Sequence, residues 1–187
     1  LKQTDSALYY YQRAAEESVT RNDIYAEAAI YGYMVNTFAD RGDYKAMLKA
    51  AEKSLGLSKT LQSNQLLASS LYNIAYAAYF NGDNISAKKY ISEALGIATR
   101  DSLKDELKNI YTVLTFIAAR EGDFKTSLWA KQQTDSTQEA LLNEQVVQST
   151  TELEKKYESE KKDTQIMLQR SQLQKRRITN YILIGAA

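Results

Sequence analysis

The side chains that carry most enzymatic chemistry are missing from this chain: its 187 residues include no Cys and no His. A disulfide, a thiolate nucleophile, an iron–sulfur site, a His-containing zinc site and a serine triad of the usual kind are therefore excluded within it. A Cys-free chain tolerates either redox environment, so composition leaves the compartment open. The remaining constellations are weak. Ser86 and Lys89 have the Ser-x-x-Lys spacing of some acyl-transfer enzymes, but no companion motif or partner base accompanies them. Glu16 and Glu17 are neighbours in sequence, as are Glu158 and Glu160, yet each pair points to different helix faces and forms no convergent acid–base pair. Lys175-Arg176-Arg177 suits anionic lipid headgroups or plain solvation. The formal net charge of +1 provides no global field for nucleic acid, and no direct nucleic-acid binding is expected. These patterns predict no enzyme, no cofactor and no metal site in the chain.

One further chemical motif, the cell-adhesion tripeptide Arg41-Gly42-Asp43, has a better explanation in the elements around it. An x-Gly-Asp turn recurs at Asn81-Gly82-Asp83 and Glu121-Gly122-Asp123, at a spacing of forty residues. Each copy lies between two stretches of helical pattern. A fixed period of this length is the signature of a helical solenoid. Glycine ends a helix because it tolerates positive φ after the last turn. Aspartate then accepts hydrogen bonds from the free N–H groups that open the next helix. So short a connection makes an antiparallel helical hairpin. The period extends past the turns. Twelve residues after the glycines stand the small Ser54, Ala94 and Thr134; five after them stand Met47, Ala87 and Ser127. Eleven before them stand the large Tyr31, Leu71 and Tyr111, and eight before them Met34, Ile74 and Leu114. Small residues let helices approach and large ones fill the gap. Ala7, Tyr11 and Ala14 continue the phase backwards from Met47, Ala51 and Ser54. With Leu1 in first place, this predicts a fragment that begins inside the second helix of an earlier repeat.

These positions resemble the tetratricopeptide repeat family over about residues 1–135. Leu71, Ile74, Ala75, Ala78, Gly82, Asp83, Ala87, Ile91, Ala94 and Leu95 fall on that family's signature positions. The copies around Tyr31, Met34, Phe38 and Gly42, and around Tyr111, Leu114, Ala118 and Gly122, match less fully. The period is forty rather than the family's thirty-four, and the repeat-ending proline is absent. The extra residues are expected to lengthen the helices. The resemblance implies an all-α fold: a right-handed superhelix of antiparallel helical hairpins with a long carboxyl-terminal helix. It also implies a concave groove lined by the first helix of each hairpin. Carried over residue by residue, that groove presents Asn36 and Asp40, then Tyr72, Tyr76 and Tyr79, then Asn109, Phe116 and Arg120. Aromatics mixed with Asn and Arg suit an extended peptide, by stacking and by amide hydrogen bonds to its backbone. The competing reading packs some of these rings between repeats. Most of the chain's fourteen tyrosines are expected at helix–helix contacts.

The carboxyl-terminal third differs. Residues 136–177 are rich in Gln, Glu, Lys and Ser, and read as one long polar connecting helix that continues the last repeat. Leu142, Val146, Leu153 and Tyr157 form a short apolar stripe, interrupted at Glu160 and Thr164. That seam supports a homodimer through a weak coiled coil or, equally, a single exposed helix. Glu152–Lys156 and Glu158–Lys162 are expected as i, i+4 pairs. After the basic cluster comes an apolar run, residues 178–187. It reads as the start of a transmembrane helix cut short, or alternatively as a hydrophobic cap of a soluble protein. The run Glu152 to Asp163, after repeats and before a hydrophobic segment, resembles bacterial membrane-anchored repeat sensors. In that family the repeats are periplasmic, the anchor crosses the inner membrane, and the output is a histidine kinase or a LuxR-type transcription regulator. The positive-inside rule applied to Lys175-Arg176-Arg177 alone points the other way, to a cytoplasmic placement. The expected function is thus a peptide- or protein-binding sensor region of a membrane-anchored signalling protein. The alternative is a soluble adaptor that scaffolds protein–protein interactions.

Overall fold

The computed structural model describes residues 2–185, with side chains described for residues 4–178. It is all-α: seven helices and no strand among the described residues. They are α1 (Lys2–Thr20), α2 (Ile24–Arg41), α3 (Tyr44–Ser58), α4 (Asn64–Phe80), α5 (Asn84–Arg100), α6 (Lys104–Arg120) and α7 (Phe124–Gly185).

The Gly-Asp turns form as the sequence predicts. Gly42, Gly82 and Gly122 take φ of +72°, +80° and +78°. Each turn closes with the same two bonds. The glycine N–H donates to the carbonyl three residues back, and the aspartate N–H to the carbonyl five back, as in Asp83 to Ala78 at 3.0 Å. Asp43, Asp83 and Asp123 then accept from the amides of Ala46, Ser86 and Thr126, each at 3.0 Å. Arg41 of the adhesion tripeptide pairs with Asp5 at 3.0 Å. Every residue of that tripeptide therefore has a structural partner or role. The turns before α2 and before α6 use the same closing bonds without glycine: Asn22 and Ser102 stand at φ +54°. Left-handed backbone costs a non-glycine residue about 1 kcal/mol, a cost these two turns carry, so they leave no glycine signal in the sequence.

Consecutive helices pack against one another through α6, and α2 also touches α4, as α4 touches α6. No such contact joins α1 to α3 or α3 to α5 among the described residues. The first helices of successive hairpins thus form a continuous inner layer, with the second helices splayed outside it. This is the curvature of a helical-repeat superhelix. The core lies between the layers. Met47, Leu71 and Ile110 are fully buried, with Ala51, Ala75, Ala87 and Ala94 closing the space between helices. The third copy of the small positions departs from the rest. Ser54 and Ala94 are buried, while Thr134 is only partly covered.

The chain divides after Leu141 into two compact units, residues 1–141 and 142–187. Among the described residues, the first holds all the buried ones; the sequence reading ended the repeats near residue 135. In the second, every side chain from Leu142 to Ile178 is exposed. The stripe of Leu142, Val146, Leu153 and Tyr157 is among them. The expected Glu152–Lys156 and Glu158–Lys162 pairs do not form. Glu152 instead accepts from Gln148 at 3.2 Å, a reasonable exchange where solvated ion pairs contribute little. No helix among the described residues is long and apolar enough to cross a membrane. The side chains of residues 179–187, on which the expected membrane entrance rests, lie outside those described.

Candidate peptide-binding groove

Helices α2, α4 and α6 form the inner layer, so their exposed faces share one surface. Repeat spacing aligns Asn36, Tyr76 and Phe116 across the three helices, as it aligns Asp40, Phe80 and Arg120. The expected site residues fall into two groups on that surface.

Toward the carboxyl ends of the helices lies an aromatic cluster. Tyr76 and Tyr79 both meet Phe80 edge-on, with centroids 4.9 and 5.3 Å apart, and Tyr44 stacks on Phe80 at 4.8 Å. Tyr79 reaches Phe116 at 6.2 Å. The Arg120 guanidinium sits 3.5 Å from the centre of the Tyr79 ring and donates to the Tyr79 carbonyl. Arg120 is therefore held against its own groove wall, and its charge is already engaged by the ring quadrupole. Asp40 is exposed beside this cluster. Burial raises the Tyr76 hydroxyl above the ordinary tyrosine range, and the Asp40 charge adds to the shift.

Toward the amino ends lies a cleft of about 350 Å³. Asn36, Tyr72 and Asn109 line it together, so three of the eight expected residues converge there. Asn109 Nδ2 donates to the Tyr72 hydroxyl at 3.4 Å. Tyr72 is pushed up to about 12, first by burial and then by the negative charge of Glu106. The cleft walls also hold Tyr25, Tyr33, Asn73, Ser69 and Glu106, none of them expected from sequence. Asn73 is 3% exposed and its Oδ1 has no hydrogen-bond partner. Gly32 makes room for it: a Cβ there would stand 3.1 Å from Asn73 Nδ2. Behind it Ser54 donates to the Ala28 carbonyl at 2.9 Å and shares a hydrogen bond with Ser70 at 2.8 Å.

No family model matches this chain, and no curated protein does. The reading of the groove therefore rests on its geometry, and the two buried carboxylates are instructive. Glu27, 8% exposed, is ion-paired with Lys53 at 2.9 Å. Lys53 is raised above the ordinary lysine range by its hydrogen bond to Tyr31 and then by Glu27. Glu106, 7% exposed, forms no ion pair among the described residues and accepts only from Ser69 Oγ at 3.3 Å. It lies in the first turn of α6, where the helix dipole favours an anion by about 0.3–1 kcal/mol.

Two of the unexpected residues, Glu106 and Asn73, had a signal in the sequence: each interrupts the repeat. Glu106 stands where the other first helices carry Ala26 and Leu66. Asn73 stands where they carry Tyr33 and Val113. A departure from period marks a residue that packing did not choose, but only the tertiary structure places these departures in one cleft.

Proposed function

We propose that residues 1–141 are a tetratricopeptide-like binding module that holds an extended segment of a peptide or partner protein along the α2–α4–α6 face. The observation that carries this reading is the continuity of the inner layer, which lays an aromatic cluster and an amide-lined cleft side by side. Tyr76 and Phe116 offer π-faces, and Asn36 and Asn109 offer the donors and acceptors that a peptide backbone requires. The resemblance of Glu152 to Asp163 to membrane-anchored sensors extends the proposal. Occupancy of the groove would be passed along α7 toward a membrane-linked kinase or transcription-regulatory output, by favouring one of two arrangements of a helix pair.

The test selects a phage-displayed library of unstructured dodecapeptides against the whole chain, then repeats the binding with the Asn36→Ala/Tyr76→Ala double variant. Asn36 is exposed and Tyr76 is half-buried at the edge of the core, so helical circular dichroism of the variant is checked first. Enriched peptides that lose at least about tenfold in affinity support the groove. Peptides that bind the double variant equally well, or a selection that enriches nothing, overturn it.

A further inference from the structure

The cleft between α2, α4 and α6 is built from groups that accept hydrogen bonds or attract positive charge. Glu106 supplies a buried carboxylate whose one donor among the described residues is the Ser69 hydroxyl, 3.3 Å away. Asn73 supplies a shielded carbonyl oxygen with no partner. Tyr25 and Tyr33 present exposed rings at the same opening, and Tyr72 lines its wall. Elsewhere the fold already places its own cations over tyrosine rings: Lys53 over Tyr31, Arg120 over Tyr79, Arg13 over Tyr9 and Lys89 over Tyr90. Among the described residues, none stands over Tyr25, Tyr33 or Tyr72. The cleft thus has a carboxylate, an amide oxygen and aromatic walls, and it lacks the cation that such a set binds.

We propose that this cleft receives a cationic side chain, arginine or lysine, of a peptide bound in the groove. The inference rests on the peptide reading above and names the residue that the peptide must carry. Charge complementarity identifies the occupant. A buried carboxylate is stabilised by a cation that reaches it with hydrogen bonds, and aromatic faces attract the same charge. The volume of about 350 Å³ is at the small end of ligand pockets, which fits one long side chain rather than a folded ligand. The cleft also shares its surface with the aromatic cluster, so a chain lying on Tyr76 and Phe116 can extend a side chain into it. A guanidinium or ammonium there would donate to Glu106, which among the described residues accepts only from Ser69.

The test titrates the intact chain with acetyl-Ala-Arg-Ala-amide, with its citrulline counterpart and with free agmatine, following backbone amide shifts by NMR. Citrulline keeps the shape of arginine and removes the charge. The expected result is shifts confined to Tyr25, Tyr33, Asn73 and Glu106. Binding of the arginine peptide should be about tenfold tighter than that of the citrulline peptide. Glu106→Gln, with unchanged helical circular dichroism, should remove that preference. Equal binding of arginine and citrulline, or no shift in the cleft, overturns the inference without needing any variant. A preference that survives Glu106→Gln overturns the role of the carboxylate. Agmatine binding as tightly as the tripeptide overturns the peptide source in favour of a free amine. Repeating the dodecapeptide selection with Tyr76→Ala alone, in the aromatic cluster outside the cleft, separates the two readings, since loss of the arginine preference would leave that result standing.

Discussion

Asp83 and Asp123 show how much one side chain can specify. Each ends a turn and caps the next helix, and each carboxyl is held below the ordinary carboxylate range. For Asp83 the cause is hydrogen bonding from Ser86, side chain first and then amide; for Asp123 it is Thr126 in the same order. A depressed native pKa means that the unfolded chain binds more protons. The stabilisation is therefore complete above the ordinary value of about 4 and is lost as pH falls through the native one. Urea midpoints of the wild type should fall between pH 5 and pH 3, and Asp83→Asn should reduce that fall. Asn caps nearly as well as Asp, so Asp83→Asn should match wild type at pH 7 while Asp83→Ala should melt earlier. Equal acid sensitivity in Asp83→Asn would show that this carboxyl is not the source.

At the scale of the element, the glycines divide by backbone conformation. Gly56 in α3 and Gly96 in α5 have open space where a Cβ would stand and no positive φ. Alanine at either should stabilise the protein by about 0.5–1 kcal/mol, because glycine carries extra unfolded-state entropy and the helix gains propensity. Gly82 also has open space, but its φ of +80° puts it in left-handed backbone, where alanine should cost about 1 kcal/mol. The measurement is the denaturant midpoint of the three variants. A Gly82→Ala protein more stable than wild type would remove the turn geometry as the reason for the repeat signature.

For the whole molecule, the division after Leu141 makes a sharp expectation. Among the described residues the buried apolar side chains end at Ala130, so that core belongs to residues 1–141. A 1–141 fragment should melt within about 3 °C of the full chain, the effect of less than roughly 1 kcal/mol in a domain of this size. Sedimentation equilibrium then tests the exposed seam of Leu142, Val146, Leu153 and Tyr157. If α7 pairs two copies, the full chain dimerises and the fragment does not. Monomers in both would remove the homodimer, and with it the two-arrangement route for a signal.

Much of this architecture was written in the sequence. The three Gly-Asp turns determined the hairpins, since glycine's freedom at positive φ and aspartate's reach to free amides are local properties that need no distant partner. The absence of Cys and His settled which chemistries the chain lacks. The long polar helix was legible because no glycine or proline interrupts it. The turns at Asn22 and Ser102 were not, because their strain is borne by ordinary residues and shows no compositional mark. The groove was half legible. The family resemblance put Asn36, Tyr72 and Asn109 on one groove face, but it could not show that Arg120 lies against Tyr79 or that Glu106 is buried with no ion pair among the described residues. Those facts depend on how closely α4 and α6 approach, a distance set by packing between residues about forty apart in the chain, and only the tertiary structure decides it.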